Sequence, residues 1–170
     1  MVDLYERAER LMGMTDAVWL RHMSNWSVWT RMLMSIPLLT ITIWSRVWLG
    51  WAALVPMAVA FAFIWLNPRL FPAPQTFESW AARGVLGERV WLKKRKDVAA
   101  HHIAVCNTLA TFSALGPCLW LWGVVTLDVW AALIGGILTM VFKVWFVDRT
   151  AWIWDDFRRN GGSVDDLKSQ

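Results

Sequence analysis

Two long apolar blocks, residues 26–66 and 103–147, dominate the sequence, and each has the length of a helical hairpin. An apolar helix needs about 20 residues to cross the ~30 Å hydrocarbon layer of a bilayer. A short polar turn divides each block into two segments of about that length, Ser45-Arg46 in the first and residues 126–128 in the second. The pattern predicts an all-α, polytopic membrane protein with four transmembrane helices in two hairpins, plus short interfacial helices.

Hydropathy and turn residues give the expected limits of the four spans, which are residues 26–44, 47–66, 103–125 and 129–147. Pro56 lies near the centre of the second span. Gly135-Gly136 in the fourth span allows a neighbouring helix to approach closely, because neither residue has a side chain. Asn67-Pro68 is expected to end the second span, since the residue before a proline disfavours helix. Gly116-Pro117 is expected to interrupt the third.

The three remaining segments are polar enough to lie outside the hydrocarbon layer. Residues 1–25 have helical spacing of apolar residues among mixed charges, which predicts an amphipathic segment on the membrane surface; a partner-binding helix is the alternative. Residues 67–102 form a basic loop with interfacial helices, which Gly84 and Gly87 break into two short pieces. Residues 148–170 continue the last helix and then form a mobile tail.

The cationic residues are distributed unequally between the two sides. Of the 17 Lys and Arg residues, seven lie in the central loop, four lie at or before Arg31 and five lie from Lys143 onward, while Arg46 alone lies in an opposite turn. Cytosolic loops of membrane proteins carry the excess of Lys and Arg. Both termini and the central loop are therefore expected in the cytosol. Trp residues cluster near the expected span ends, where indole prefers the interface.

Five polar residues near the expected cytosolic face are candidate ligands for iron, zinc or manganese: His22, Glu88, His101, His102 and Asp148. Imidazole nitrogens and carboxylates are common ligands of these metals. The spacing gives little support, because adjacent histidines on a helix point about 100° apart and no H-x-x-x-H pair occurs. The alternative is that these side chains contact the lipid headgroups. No cofactor is required by the sequence.

One cluster of cations and one isolated lysine suggest contact with lipid. Lys93, Lys94, Arg95 and Lys96 form a cluster beside the membrane, where each charge contributes about 1 kcal/mol of attraction to anionic headgroups. Lys143 is the one charge well inside an expected span, about one turn from its inner end, so that its stem can carry the charge to the interface. Nucleic-acid binding is not expected, because the basic residues determine topology.

The chain resembles a family of small tryptophan-rich membrane proteins of bacteria and archaea whose function is unknown. The resemblance rests on WSVWTR from Trp26, WSRVWLGW from Trp44, WLNPRLFP from Trp65, RGVLGERVWL from Arg83, the pair His101-His102 and FVDR from Phe146. It covers nearly the whole chain. The resemblance implies a prokaryotic plasma membrane but no activity, substrate or cofactor.

These observations favour a non-enzymatic binder of an apolar ligand, a lipid or a membrane partner. A second copy of the chain, in a homo-oligomer, is one such partner. The alternative is a metal-dependent membrane enzyme that acts on a lipid-soluble substrate at a cytosolic His and carboxylate site. A small transporter is disfavoured, because Lys143 is the only charge within the spans apart from Arg31 near the start of the first span. Motifs for nucleotide binding, serine hydrolysis and zinc proteolysis are absent from the sequence.

Overall fold

The computed structural model describes residues 13–167, and this part of the chain is helical with no strand. The predicted all-α class is therefore confirmed. Most of the helix expected near the N-terminus falls on residues 1–12, outside the described residues. Within residues 13–167, the seven α-helices are α1 (Asp16–His22), α2 (Asn25–Trp44), α3 (Arg46–Leu49), α4 (Leu54–Leu70), α5 (Trp80–Lys93), α6 (Ala100–Thr126) and α7 (Val129–Arg159).

In the described part of the chain, three helical segments are long and apolar enough to cross a membrane, namely Asn25–Leu70, Ala100–Thr126 and Val129–Arg159. The first contains α2, α3 and α4, with a 3₁₀ turn over Gly50–Ala53. Gly50 has φ of +53°, a conformation that glycine adopts without steric cost. Asn67 near the end of α4 is hydrogen-bonded to Ser27 and Thr30 near the start of α2. The two helices are therefore antiparallel.

Proline positions differ from the expectation in this segment. α4 begins at Leu54, so Pro56 lies in its first turn rather than at the centre of a span. The first turn of a helix tolerates proline, because its N–H groups have no partner within the helix. The predicted end of the helix at Asn67-Pro68 is wrong, since α4 continues to Leu70. The side-chain hydrogen bonds of buried Asn67 stabilise the helical backbone there.

The last two helices, α6 and α7, pack closely through glycine. A Cβ atom added to Gly123 would lie 2.1 Å from the Ala132 nitrogen, and one added to Gly135 would lie 2.2 Å from the Trp120 nitrogen. The close approach predicted at Gly135 is thus confirmed. The interruption predicted at Gly116-Pro117 is wrong, because α6 is continuous through both residues. The packing of α6 against α7 at Gly116 outweighs the tendency of Pro117 to interrupt the helix.

α5 is one continuous helix, and the prediction that Gly84 and Gly87 break it is wrong. Ser79 caps its start by accepting a hydrogen bond from the Ala82 nitrogen. Both glycines face α7: a Cβ at Gly87 would lie 1.7 Å from the Thr150 carbonyl oxygen, and one at Gly84 would lie 2.4 Å from Val147 Cγ1. The absence of a side chain therefore serves helix packing.

Buried apolar residues form two cores of very different size. The large core surrounds α5 and includes Trp19, Met23, Leu86, Val90, Trp91, Phe146, Ile153 and Leu167. The small core, at the other end of α6 and α7, consists of Trp120, Val124 and Ala132. Because Leu167 is fully buried, the C-terminal segment expected to be a mobile tail is packed through this residue.

Candidate functional site

A cavity of about 410 Å³ lies between α1, α2, α4, α5 and α7. Its volume is within the range of small-molecule sites, about 300–1,000 Å³. Aliphatic and methionine side chains form most of its wall. The polar lining residues are His22, Arg31, Ser35, Glu88, Thr139 and Lys143. This combination of apolar walls with a few polar groups is typical of a ligand site.

The charged groups lie at the end of the cavity near the large core. Arg31 precedes the apolar lining residues Ile36 and Leu39 on α2, by about 7.5 Å and 12 Å along the helix axis. On α7, which runs in the opposite direction, Met140 precedes Lys143 by about 4.5 Å. The cavity is therefore polar at one end and becomes apolar toward the middle of the helices.

Glu88 and Lys143 form an ion pair at the polar end. The Lys143 Nζ atom donates to Glu88 Oε1 at 3.2 Å, and the Glu88 side chain is only 12% exposed. Nζ also lies 4.8 Å from the centroid of the Phe146 ring. Lys143 therefore has a charged partner on α5, which the sequence did not predict.

Arg31 is a half-buried cation that lines the same end of the cavity. Within residues 13–167, its guanidinium group has neither an ion pair nor a hydrogen bond. Guanidinium is always charged in proteins and presents five N–H donors. The two cations and one carboxylate give this end of the cavity a net charge of one positive unit.

His22 takes part in a hydrogen-bond chain that determines its tautomer. The Thr30 hydroxyl donates to the Trp26 carbonyl oxygen, so Asn67 Nδ2 must donate to Thr30 Oγ1, at 2.8 Å. Asn67 Oδ1 then accepts from Ser27 Oγ, at 3.0 Å. Because the Ser27 hydrogen is used there, His22 Nδ1 donates to Ser27 Oγ, at 2.9 Å. His22 Nε2 is left with a free lone pair in the described part of the chain.

The environment of His22 keeps this imidazole neutral. Burial, followed by the positive charges of Arg31 and Lys143, lowers the pKa of His22 from 6.5 to about 3. A neutral ring whose Nδ1 is a donor can only accept at Nε2. His22 therefore offers the cavity a hydrogen-bond acceptor and adds no positive charge to its polar end.

The remaining candidate metal ligands lie in other environments. His102 is buried, and its Nε2 lies 3.0 Å from Asp156 Oδ2, while Nδ1 has no hydrogen-bond partner in the described residues. His101 is exposed, with its ring centroid 4.2 Å from that of His102. Asp148 Oδ1 accepts from Trp80 Nε1 at 2.9 Å.

The structure thus brings only two of the five candidate ligands, His22 and Glu88, to one cavity. Across residues 13–167, no group of three or more His, Cys, Asp or Glu side chains is arranged to hold a metal ion. The metal site stays a prediction, and it would need ligands that these residues do not bring together.

The basic cluster follows α5. Lys93 is the last residue of this helix, and Lys93, Lys94 and Lys96 are exposed. Arg95 instead turns toward the protein, where it donates to Asn107 Oδ1 at 2.9 Å and lies over the Trp91 ring. Three of the four cations are thus accessible at this surface, and the fourth anchors it to α6.

The sequence alone did not identify Arg31 or Ser27 as site residues. A charge in the second turn of an otherwise apolar span was the available signal for Arg31. Ser27 and Asn67 are 40 residues apart, so no local pattern connects them.

The fold and the cavity define an all-helical protein with three segments suited to crossing a membrane and a mainly apolar site between its helices. A family model matches residues 3–169, and the chain belongs to this family, a family of unknown function (DUF6653). The match confirms the predicted membership of a family without an assigned activity. Neither the curated proteins nor the solved structures provide a significant match.

Proposed function

We propose that this protein is a non-enzymatic, multi-pass protein of a prokaryotic plasma membrane that binds an apolar or amphipathic ligand. The cavity between α2, α5 and α7 carries the proposal. It combines a ligand-sized volume, aliphatic walls and a few polar groups at one end. Its depth between membrane-compatible helices favours a ligand that is already dissolved in the bilayer.

The proposed topology has four spans, with both termini and α5 on the cytosolic side. The turn after α2 lies at the same end of the protein as the turn after α6, which supports this topology. Arg46 in the first turn donates to the carbonyl oxygens of Val124 and Val125 at the end of α6, at 2.8 and 2.7 Å. All other Lys and Arg residues lie outside these two turns, which agrees with an excess of positive charge on the cytosolic side.

Cysteine labelling tests this topology. In a Cys106→Ser/Cys118→Ser background, Trp51→Cys should react with a membrane-impermeant maleimide in intact bacterial spheroplasts, since Trp51 is 89% exposed. Lys94→Cys should react only after the membrane is permeabilised. Labelling of both positions from the same side would contradict the four-span arrangement.

A binding assay tests the proposed cavity. Tritiated methyl palmitate, a neutral apolar probe, should bind saturably to the purified protein in detergent. Met140→Trp should abolish saturable binding, because the larger side chain occupies the cavity. Met34→Trp is the matched control, since Met34 is 53% exposed and does not line the cavity. Non-saturable binding in the wild type, or equal losses in both variants, would refute the cavity site.

Metal analysis of the same preparation addresses the enzymatic alternative. Stoichiometric iron, zinc or manganese that is lost in the His101→Ala/His102→Ala variant would replace the proposed function with a metal-dependent activity. His102 Nδ1, buried without a hydrogen-bond partner in the described residues, is the structural reason for including this variant.

We further propose that the exposed lysines Lys93, Lys94 and Lys96, next to Arg95, attract anionic headgroups. Replacing the three lysines by glutamine should lower the amount of phosphatidylglycerol that copurifies with the protein. An unchanged amount would contradict this role.

A further inference from the structure

A cation without an ion-pair partner lies at the polar end of the cavity, and it indicates the charge of the ligand's head group. Arg31 lines the cavity, and its guanidinium has no ion-pair or hydrogen-bond partner in residues 13–167. Lys143 and Glu88, by contrast, are bonded to each other. An unpaired cation in a helical segment that crosses a membrane is costly unless an anion compensates it. One negative charge supplied by a ligand would balance this end of the cavity.

We propose that the cavity binds an acidic amphiphile, a single carboxylate or phosphate head on an alkyl chain, with the head at Arg31 and the chain along Ile36, Leu39 and Met140. This inference rests on the proposed function, because it specifies the ligand of the same cavity. Arg31 is the binding residue, since its planar group can donate two parallel hydrogen bonds to either head.

The surroundings of Arg31 select for this head group. Lys143 adds a second cation, while its pairing with Glu88 leaves only one net positive charge to be compensated. His22 contributes an acceptor at Nε2, where the hydroxyl of a singly protonated phosphate can donate. A zwitterionic head would place its cation beside Arg31 and Lys143, and like charges repel each other.

Competition against tritiated methyl palmitate tests the inference in detergent-solubilised wild-type protein. Palmitate and hexadecyl phosphate should compete about tenfold more strongly than unlabelled methyl palmitate, because a charge-assisted, bidentate pair forms only with the acids. A preference for one of the two acids identifies carboxylate or phosphate as the natural head. Inorganic phosphate alone should compete at least tenfold more weakly than hexadecyl phosphate, because it lacks the chain.

Variants assign the preference to Arg31. Arg31→Gln should remove the tenfold preference for palmitate over methyl palmitate. Arg31→Lys should restore part of the preference, and Arg46→Gln, which removes a cation at the opposite end, should leave it unchanged. Circular dichroism checks that each variant is folded.

The outcomes separate this inference from the proposed function. Saturable methyl palmitate binding without any preference for the acids overturns the inference and leaves an apolar binding site. A preference that survives in Arg31→Gln also overturns the assignment to Arg31. If the wild type binds none of the probes saturably, the proposed function fails, and the inference fails with it.

Discussion

The large core and the small core follow different packing rules within one chain. Around the large core, apolar side chains are buried and charges pair at its margin, as in Arg83–Asp155 at 2.8 Å and Lys143–Glu88 at 3.2 Å. Around the small core, few side chains are buried, and Trp48, Trp122 and Trp130 are 65% to 77% exposed. The same helices, α6 and α7, extend through both regions.

A change of solvent explains this difference. In water, apolar side chains gain about 25 cal/mol for each Å² that they bury, which favours a large internal core. In lipid, this driving force between helices is absent, and close packing and hydrogen bonds hold helices together. Gly123 against Ala132 and the Trp120 Nε1 hydrogen bond to Thr40, at 2.8 Å, are contacts of that second kind. The two cores therefore agree with the proposed topology, in which the large core faces water and the small core lies within lipid.

Leucine truncation in the two regions gives the largest expected contrast. Leu86→Ala should lower the free energy of unfolding by about 2–5 kcal/mol, because Leu86 is fully buried in the large core. Leu133→Ala on α7 should cost less than about 1 kcal/mol, since half of that residue is exposed and, in the proposed topology, faces lipid. Unfolding by SDS in mixed micelles, followed by circular dichroism, measures both. Equal losses would mean that Leu133 is covered by another protein surface.

Glycine contacts should matter in both regions, because close backbone packing does not depend on the solvent. Gly87→Ala at the large core and Gly123→Ala at the small core should each cost about 2–3 kcal/mol in the same assay. In both, the new Cβ would meet backbone atoms, at 1.7 Å and 2.1 Å. Gly84→Ala should cost less, since its nearest neighbour is a valine methyl group, which can move more easily. A loss confined to Gly87→Ala would contradict packing through glycine in the lipid-facing region.

The sequence predicted the helices better than it predicted their packing. Apolar segments of about 20 residues identify helices locally, and the extension of α7 to Arg159 follows the helical spacing of its apolar residues. Gly84, Gly87, Pro68 and Pro117 were misjudged, because their local preference for breaking helices is overridden by contacts with residues far away in the chain.

The candidate site was less predictable for the same reason. The cavity combines residues from α1, α2, α4, α5 and α7, and no spacing in the sequence connects His22 with Lys143. Neighbouring residues can also differ completely in environment: His101 is exposed, while His102 is buried against Asp156. The partners of charged side chains, such as Glu88 for Lys143, were not predictable from the sequence.

The smallest expected effect concerns the boundary between the two regions, where His22 lies. The unfolded chain binds a proton at His22 near pH 6.5, whereas the folded chain, with its pKa of about 3, does so only in stronger acid. The stability contribution is complete above pH 6.5 and is lost as the pH falls toward 3. At pH 5 the loss should be roughly 1–2 kcal/mol, because each pKa unit corresponds to 1.36 kcal/mol and His22 is only half-buried.

His22→Asn keeps a donor for Ser27 without the titration, so its unfolding free energy should change less than that of the wild type between pH 7 and pH 5. His101→Asn, at an exposed position, should retain the full wild-type change, and an equal change in His22→Asn would show that His22 is already solvated in the folded protein.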